Sequence, residues 1–195
     1  MRGDLTTLAQ VKQFLGESGT ATDNLLSSLI SSASSFALTF LARDIFKNDY
    51  TETRNGIGSF SIRTLQYPIN SVSLVSVNGI TIPARPNVTG CGYSFDSGLI
   101  YLSGYEFCRG AQNITLGYNA GIATQSGSPL VPSGVPADLA QAVVDMVAVK
   151  YKRRTTIDVV GETIAQQTLT YAPSDITPSV QKVLNQYKRT FPVMP

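Results

Sequence analysis

The sequence predicts an α+β fold, a small helical bundle built from the N- and C-terminal helices with an antiparallel β region inserted between them. Three observations carry this. Apolar residues recur at helical spacing near both ends of the chain. Between about residues 50 and 119 the period falls to two and turn dipeptides punctuate it. A Gly/Ser/Pro-rich stretch then gives way abruptly to Val135–Arg154, VPADLAQAVVDMVAVKYKRR, whose apolar face is too broad to stand without partner helices.

Thr7-Leu8-Ala9-Gln10 fits a capping box, with Thr7 as N-cap and Gln10 three residues on. Leu8, Val11, Phe14 and Leu15 give the short helix its apolar side, and Gly16 can end it. After a polar loop, Thr22 or Asp23 caps a longer helix carrying Leu25, Leu26, Leu29, Ile30, Ala33, Phe36, Ala37, Phe40 and Leu41. The serines between them are poor helix formers, so packing must hold this helix, and their small size permits close approach.

Tyr50–Arg54, Ser59–Leu65 and Val72–Val77 alternate like strands. Asn55-Gly56 and Asn78-Gly79 read as hairpin turns, and Asp96-Ser97-Gly98 as another turn. Ile80–Ile82, Tyr93–Phe95, Leu99–Leu102 and Asn113–Tyr118 continue the series. Short, closely spaced strands predict an antiparallel sheet or small barrel, not βαβ units. Ala120–Gly134 reads as a flexible connector.

Pro136 suits the first helical position of the next helix, where its missing N–H has no partner. Asp138 in the first turn and Lys150, Lys152, Arg153 and Arg154 in the last complement the helix dipole. Leu139, Ala142, Val143, Met146, Val147, Val149 and Tyr151 form the apolar face. Thr155–Asp175 has no helical period; Thr156–Val160 and Thr163–Tyr171 are β-like around Gly161. Strand pairing with a neighbouring copy and an intrachain hairpin around Gly161-Glu162 are both consistent with it. A last helix starts at Thr177 with Pro178 first, and Val180, Val183, Leu184 and Tyr187 face inward. Pro192 stops it. The expected divisions are 1–49, the N-terminal portion of the helical bundle; 50–119, the inserted β domain; 120–135, a linker; 136–190, the C-terminal portion of the bundle with a long loop at 155–175; and 191–195, a C-terminal tail.

Composition narrows the chemistry. The 195 residues are 43% apolar and 14% charged, a globular balance. There is no histidine, which removes the commonest general base and metal ligand. Serine-triad, His-metal and Cys/His mechanisms are excluded unless another chain supplies that residue. Asp96, Glu106, Asp138 and Asp145 fall on different predicted elements, with no spacing suited to acid–base work or a metal cluster. Tyr118-Asn119-Ala120-Gly121 lacks the ending of a phosphate loop. No catalysis, cofactor or metal is expected. Cys91 and Cys108 are the only cysteines and are expected as free, half-buried thiols in a reducing cytosol. Two Asn-X-Thr triplets, at Asn87 and Asn113, are taken as chance matches. No apolar run approaches the ~20 residues of a membrane span.

Residues 150–195 hold seven basic side chains against Asp158, Glu162 and Asp175, in a chain whose net charge is only +2. The basic end points to an acidic partner, nucleic acid or protein. A solvated face with dipole complementarity accounts for it equally.

The order helix, helix, β region, helix, loop, helix, tail resembles the head–tail connector proteins of tailed bacteriophages, also called adaptor or head-completion proteins. The residues that carry this are Leu5–Leu15 (LTTLAQVKQFL), Leu25–Arg43 ending FALTFLAR, Tyr67-Pro68-Ile69 followed by Val72–Gly79 (VSLVSVNG), Tyr118–Ile122 (YNAGI), Val135–Arg154, and Gly161–Tyr171 followed by a Pro-started helix. The resemblance spans nearly the whole chain and rests on order and spacing. It implies a helical core made from the first two and last two helices. It implies a ring of about a dozen copies below the portal protein at the capsid vertex, a count that belongs to the interface and not to one sequence. The ring would extend the channel through which DNA passes without sequence specificity and offer a surface to the next neck or tail-completion protein. The location implied is the virion neck, after assembly in the host cytoplasm.

By position, the last helix and tail would dock on the portal, through Tyr187, Lys188, Arg189, Phe191, Val193 and Met194. Phe and Met are good anchors for a partner groove, and a plain disordered terminus accounts for the tail equally. The loop after the third helix would face the channel or a neighbouring subunit, with Lys150, Lys152, Arg153, Arg154, Val159, Gly161, Glu162 and Tyr171 as the contacts. A channel that must pass DNA should not hold it tightly, so acidic protein residues are at least as good partners for the four cations. The competing reading is a virion binding module whose β domain recognises a host surface or carbohydrate through Tyr93, Phe95, Tyr101, Tyr105 and Phe107. A sheet core accounts for those aromatics more simply.

Overall fold

A computed structural model describes residues 3–126, 131–154, 161–164, 167–170 and 176–189. The fold is α+β, with four helices and antiparallel sheets. Two compact units emerge, a helical one from residues 1–42 and 124–189, and a β one from residues 43–123.

The helical unit contains α1 (Leu8–Leu15), α2 (Asp23–Leu41), α3 (Ala137–Arg153) and α4 (Pro178–Tyr187). Both halves of the Thr7/Gln10 capping box form, and Gly16 ends α1 with a left-handed φ of 73°. α2 buries Leu26, Ile30, Ala33, Ala37, Leu38 and Leu41 on one stripe. Ser34 lies in that stripe and accepts the backbone N–H of Leu5 at 3.0 Å, so a buried donor is satisfied where the chain enters the core. Lys12 ties α1 to the start of α2 by a 2.6 Å ion pair with Asp23. Thr22 is the N-cap of α2 but makes no side-chain cap bond.

Several expectations change here. Pro136 sits at the N-cap of α3, one position before the first helical residue. The buried face of α3 is wider than expected, because Val144 and Ala148 join it and Val149 is only half-buried. α4 starts as expected, with Thr177 accepting from Val180 N and Pro178 first, but it ends at Tyr187. By length and composition α2 is apolar enough to cross a bilayer, contrary to the absence of any such run. Its buried stripe against the other helices is that of a core helix. The connector contains a hairpin, β8 (Thr124–Ser126) against β9 (Val131–Ser133). A second hairpin pairs β10 (Gly161–Ile164) with β11 (Gln167–Thr170). The intrachain alternative for this segment therefore forms, with Gly161 and Glu162 paired inside β10 and not at a turn. The Thr156–Val160 strand expectation lies outside the described residues.

In the β unit, β1 (Asn48–Gly56) and β3 (Ile69–Val77) flank the long β7 (Gly110–Ala120), and β4 (Ile80–Thr81) follows on the edge. The strand pairings within this sheet are antiparallel, from Asn48↔Ala120 to Arg54↔Ile114 on one side of β7. A second sheet has the order β2 (Ser61–Arg63), β6 (Leu99–Ser103), β5 (Gly92–Phe95). Asn78-Gly79 does make a tight hairpin, both residues at positive φ, 53° and 80°. Asp96–Gly98 turns β5 into β6. Asn55-Gly56 does not turn the chain. β1 runs through it, with a register shift between Arg54 and Gly56, and Gly56 N–H donates to Asn113 Oδ1 at 2.8 Å. Val75, Ile100, Ile114, Leu116, Phe107 and Tyr118 form the core between the sheets' inner faces. Cys91 and Cys108 are free, as expected, but exposed.

Candidate assembly surfaces

The C-terminal helix is held along its whole length. Val180 and Leu184 are buried in the helical core. One turn on, the Tyr187 hydroxyl donates to the Asp138 carboxylate, 2.7 Å from Oδ1 and 2.9 Å from Oδ2. That joins the last turn of α4 to the first turn of α3, so the two helices run antiparallel. Lys188 places its ammonium 5.1 Å from the centre of the Phe40 ring. The backbone N–H of Arg189 donates to Leu41 O at 2.9 Å, satisfying a carbonyl that the end of α2 leaves open. Tyr187, Lys188 and Arg189, three of the residues expected to dock, thus each contact the helical unit of their own chain. Phe191, Val193 and Met194 lie outside the described residues.

The basic end of α3 is partly committed as well. Arg154 folds back, donating from Nη1 to Tyr151 O at 2.8 Å and stacking 3.9 Å above the Tyr151 ring. Its charge therefore serves the C-terminus of its own helix. The Tyr151 hydroxyl donates to Glu17 Oε1 at 2.9 Å, linking this end to the loop after α1. Lys150 and Arg153 are half-buried and Lys152 is exposed. Among the described residues Lys150 and Lys152 have no ion-pair partner. Gly161 and Glu162 open β10, paired with Thr170 and Leu169. Val159 and Tyr171 lie outside the described residues.

Two further surfaces of the helical unit are built from uncharged side chains, with Asp4 bonded to Ser31 and Lys188 over Phe40 beside the first and Asp145 bonded to Gln141 beside the second. The side of α2 away from its buried stripe presents Leu25, Ser28, Ser32 and Phe36, with Leu25 43% and Phe36 39% exposed. After Asp23 the helix has no charged residue at all. The second surface is a groove of about 500 Å3 between α1 and the first half of α3. Gln10, Gln13 and Gln141 line it with amides, and Phe14, Ala137 and Ala140 with apolar surface.

In the β unit the aromatics separate. Phe107 is buried and Tyr93 half-buried against the core, donating its hydroxyl to Val72 O. Both belong to the core, as the simpler sheet-core reading expects, and drop out of the candidate contacts; Phe95, Tyr101 and Tyr105 are exposed. The one buried acid there is Glu52. Its Oε1 accepts the Tyr118 hydroxyl and the Leu65 N–H, while Arg54 Nε stands 3.7 Å from Oε2. Tyr118 in turn accepts from Gln66 N at 3.1 Å. Burial first, then the bond to Glu52, push the Tyr118 phenol well above its usual range. Burial pushes Tyr50 up to about 12, with Asn48 acting against the shift and Asp44 with it. This cluster locks the segment around residues 64–66 onto the sheet. Among the described residues no three His, Cys, Asp or Glu side chains gather to hold a metal ion.

A protein-family model described as head completion protein matches residues 4–190. The chain belongs to that family. No curated protein matches it. Among solved structures, this head completion protein is similar to a chain from the neck of an empty GTA particle computed with C6 symmetry, at 17% identity and TM-score 0.57, covering 99% of this chain and 97% of that one. It is also similar to a chain from the neck of a native GTA particle computed with C12 symmetry, at 14% identity and TM-score 0.56, with the same coverages. A chain from the virion of a native gene transfer agent particle gives 16% identity and TM-score 0.53, covering 98% and 96%. At these identities the likeness is one of fold, and it extends over both chains nearly end to end.

Asp138 and Glu17 were missed as partners of Tyr187 and Tyr151. Asp138 has a sufficient local role at a helix N-terminus, and the pair is 49 residues apart. No local pattern marks such a contact.

Proposed function

We propose that the chain is a structural neck protein without catalytic activity, forming a ring below the portal that joins capsid to tail and extends the DNA channel. Membership of the head completion family over residues 4–190 is the observation that carries this. The fold shared with neck chains of a gene transfer agent, one neck computed with C12 symmetry, supports a ring of twelve. In this reading residues 190–195 reach the portal from a fixed starting point, because α4 and Arg189 are fastened to α2 and α3. Phe191 and Met194 supply the apolar anchors. Lys150, Lys152 and the hairpin from Gly161 to Thr170 face the channel or the next subunit. The next neck or tail-completion protein binds the opposite side of the ring, and assembly takes place in the host cytoplasm.

The test is deletion of Phe191–Pro195. The truncated chain should fold as before and fail to attach to portal-bearing capsids. Unchanged attachment refutes the role of the tail. The rival reading, a β domain that recognises a host surface or carbohydrate, keeps Phe95, Tyr101 and Tyr105 as contacts but loses Phe107 to the core.

A further inference from the structure

The β unit buries two charged side chains, and its own chain satisfies only one of them. Glu52 has the Tyr118 hydroxyl, the Leu65 N–H and nearby Arg54. Arg43 is 8% exposed, and among the described residues no hydrogen bond or ion pair reaches it. The contact it does make is with a ring: its guanidinium carbon lies 4.5 Å from the centre of Tyr67. Arg54, Arg85 and Arg109, by contrast, each donate to a carbonyl of their own chain. A buried cation without a counter-ion is costly to the fold, so it calls for a partner outside the chain. The ring contact holds the guanidinium in place. Of its nitrogens only Nε is shut away from solvent, which leaves the Nη edge to donate to a carboxylate.

The matching carboxylate lies at the other end of the same unit. Asp44 accepts from the Tyr50 hydroxyl, Asp49 from the Asn119 amide, and Asp96 from the N–H of Ser97. Glu106 is exposed, and among the described residues its carboxylate has no hydrogen bond or ion pair. It stands beside Gly58, just past the end of β1, with Arg109 near but beyond ion-pair distance. Arg43 is at the opposite end. Asp44 N–H bonds Gln66 Oε1 there, and Gly121 N–H bonds Pro68 O, next to the point where Asn48 and Ile69 both pair with Ala120. Between the two ends β7 runs 11 residues, roughly 35 Å. Arg43 and Glu106 of one copy therefore cannot meet.

We infer that Arg43 receives the Glu106 carboxylate of the next copy, so that opposite ends of the β unit meet in a head-to-tail contact. Such a contact closes into a ring when its rotation divides a full turn. The inference rests on the ring reading above and names a pair of residues that would hold the ring together. The site is recessed, which suits a flexible side chain better than the phosphates of a stiff duplex. It also gives a reason for a buried charge that the fold by itself leaves unpaired.

The experiment uses the full chain, alone and on portal-bearing capsids. Arg43→Gln removes the charge and keeps an unbranched side chain beside Tyr67. In the chain alone it should leave the urea midpoint unchanged or raised, because a buried charge without a partner is gone. On capsids it should weaken binding of the chain to the neck roughly tenfold. Glu106→Gln, at an exposed position, should weaken binding by a similar factor with no change in the midpoint. The double variant should bind no more weakly than either single one, since each substitution already breaks the pair. A clear fall in the Arg43→Gln midpoint would make the cation part of the fold and overturn the proposal. Weaker binding from Arg43→Gln with none from Glu106→Gln would give the site to a carboxylate of another protein or to DNA, and losses that add in the double variant would make the two residues independent; either overturns the pairing. A complete ring from all three variants overturns the pair and leaves the ring reading standing. Wild-type chain bound in single copies defeats both.

Discussion

Replacing Tyr118 by Phe should destabilise the β unit by about 3 kcal/mol. The side chain is 1% exposed, so no water substitutes for the lost hydroxyl. The hydroxyl does two things: it donates to Glu52 Oε1 and accepts from the backbone N–H of Gln66. A hydrogen bond to a charged group contributes about 1.5–3 kcal/mol, and a buried donor left unpaired costs about 1–3 kcal/mol. The first effect is softened, because Leu65 N–H still bonds Glu52 Oε1 at 2.9 Å. The ring itself stays, so no cavity adds to the loss. Urea unfolding followed by tyrosine fluorescence and far-UV circular dichroism measures it, with an unchanged m-value as the sign that only stability moved. A double-mutant cycle with Glu52→Gln isolates the pair, and the coupling should exceed about 1 kcal/mol. A Tyr118→Phe loss below about 0.5 kcal/mol would refute the view that this buried cluster fastens the 64–66 segment to the sheet.

Tyr187→Phe removes a partly exposed bond to Asp138, so it should cost only about 1 kcal/mol or less; hydrogen exchange should quicken in α4 and not in α3. Gly121→Ala should destabilise by more than about 2 kcal/mol, since Gly121 has φ 129° and an added Cβ would stand 2.4 Å from Phe46 O, a backbone atom that cannot swing aside. Stability should also fall in alkali. The folded protein holds the Tyr50 proton up to about 12 against 10 when unfolded, so this contribution is complete below pH 10 and is lost as pH rises from 10 through 12. Tyr118 acts in the same direction, and a pH series of urea midpoints on wild type and Tyr118→Phe should show a smaller alkaline loss in the variant.

Legibility in the sequence followed the range of the interaction. The Thr7/Gln10 capping box, the Gly16 stop, Pro178 after its Thr177 cap, and the Asn78-Gly79 hairpin are decided within four residues, and each formed as read. Asn55-Gly56 has the same turn chemistry as Asn78-Gly79 but did not turn, because Asn113 lies across the sheet and takes the Gly56 N–H, a partner 57 residues away. The wider face of α3 follows from being packed on three other helices, whereas a single amphipathic stripe anticipates one contact side. The order of elements pointed to the family, since order survives where single residues drift. The assembly surfaces were less legible. Basic residues after Val149 drew attention to a charged site, yet Arg154 is occupied with its own helix end. The uncharged groove has no sequence signature, because it is assembled from α1 and α3, more than a hundred residues apart.

Cryo-electron microscopy of the virion neck, with this chain traced into the map, tests the central claim most directly. The account predicts a closed ring of copies directly beneath the portal, with residues 190–195 of each copy against the portal. Density for the chain at any other place on the particle, or in single copies with no ring, would contradict it.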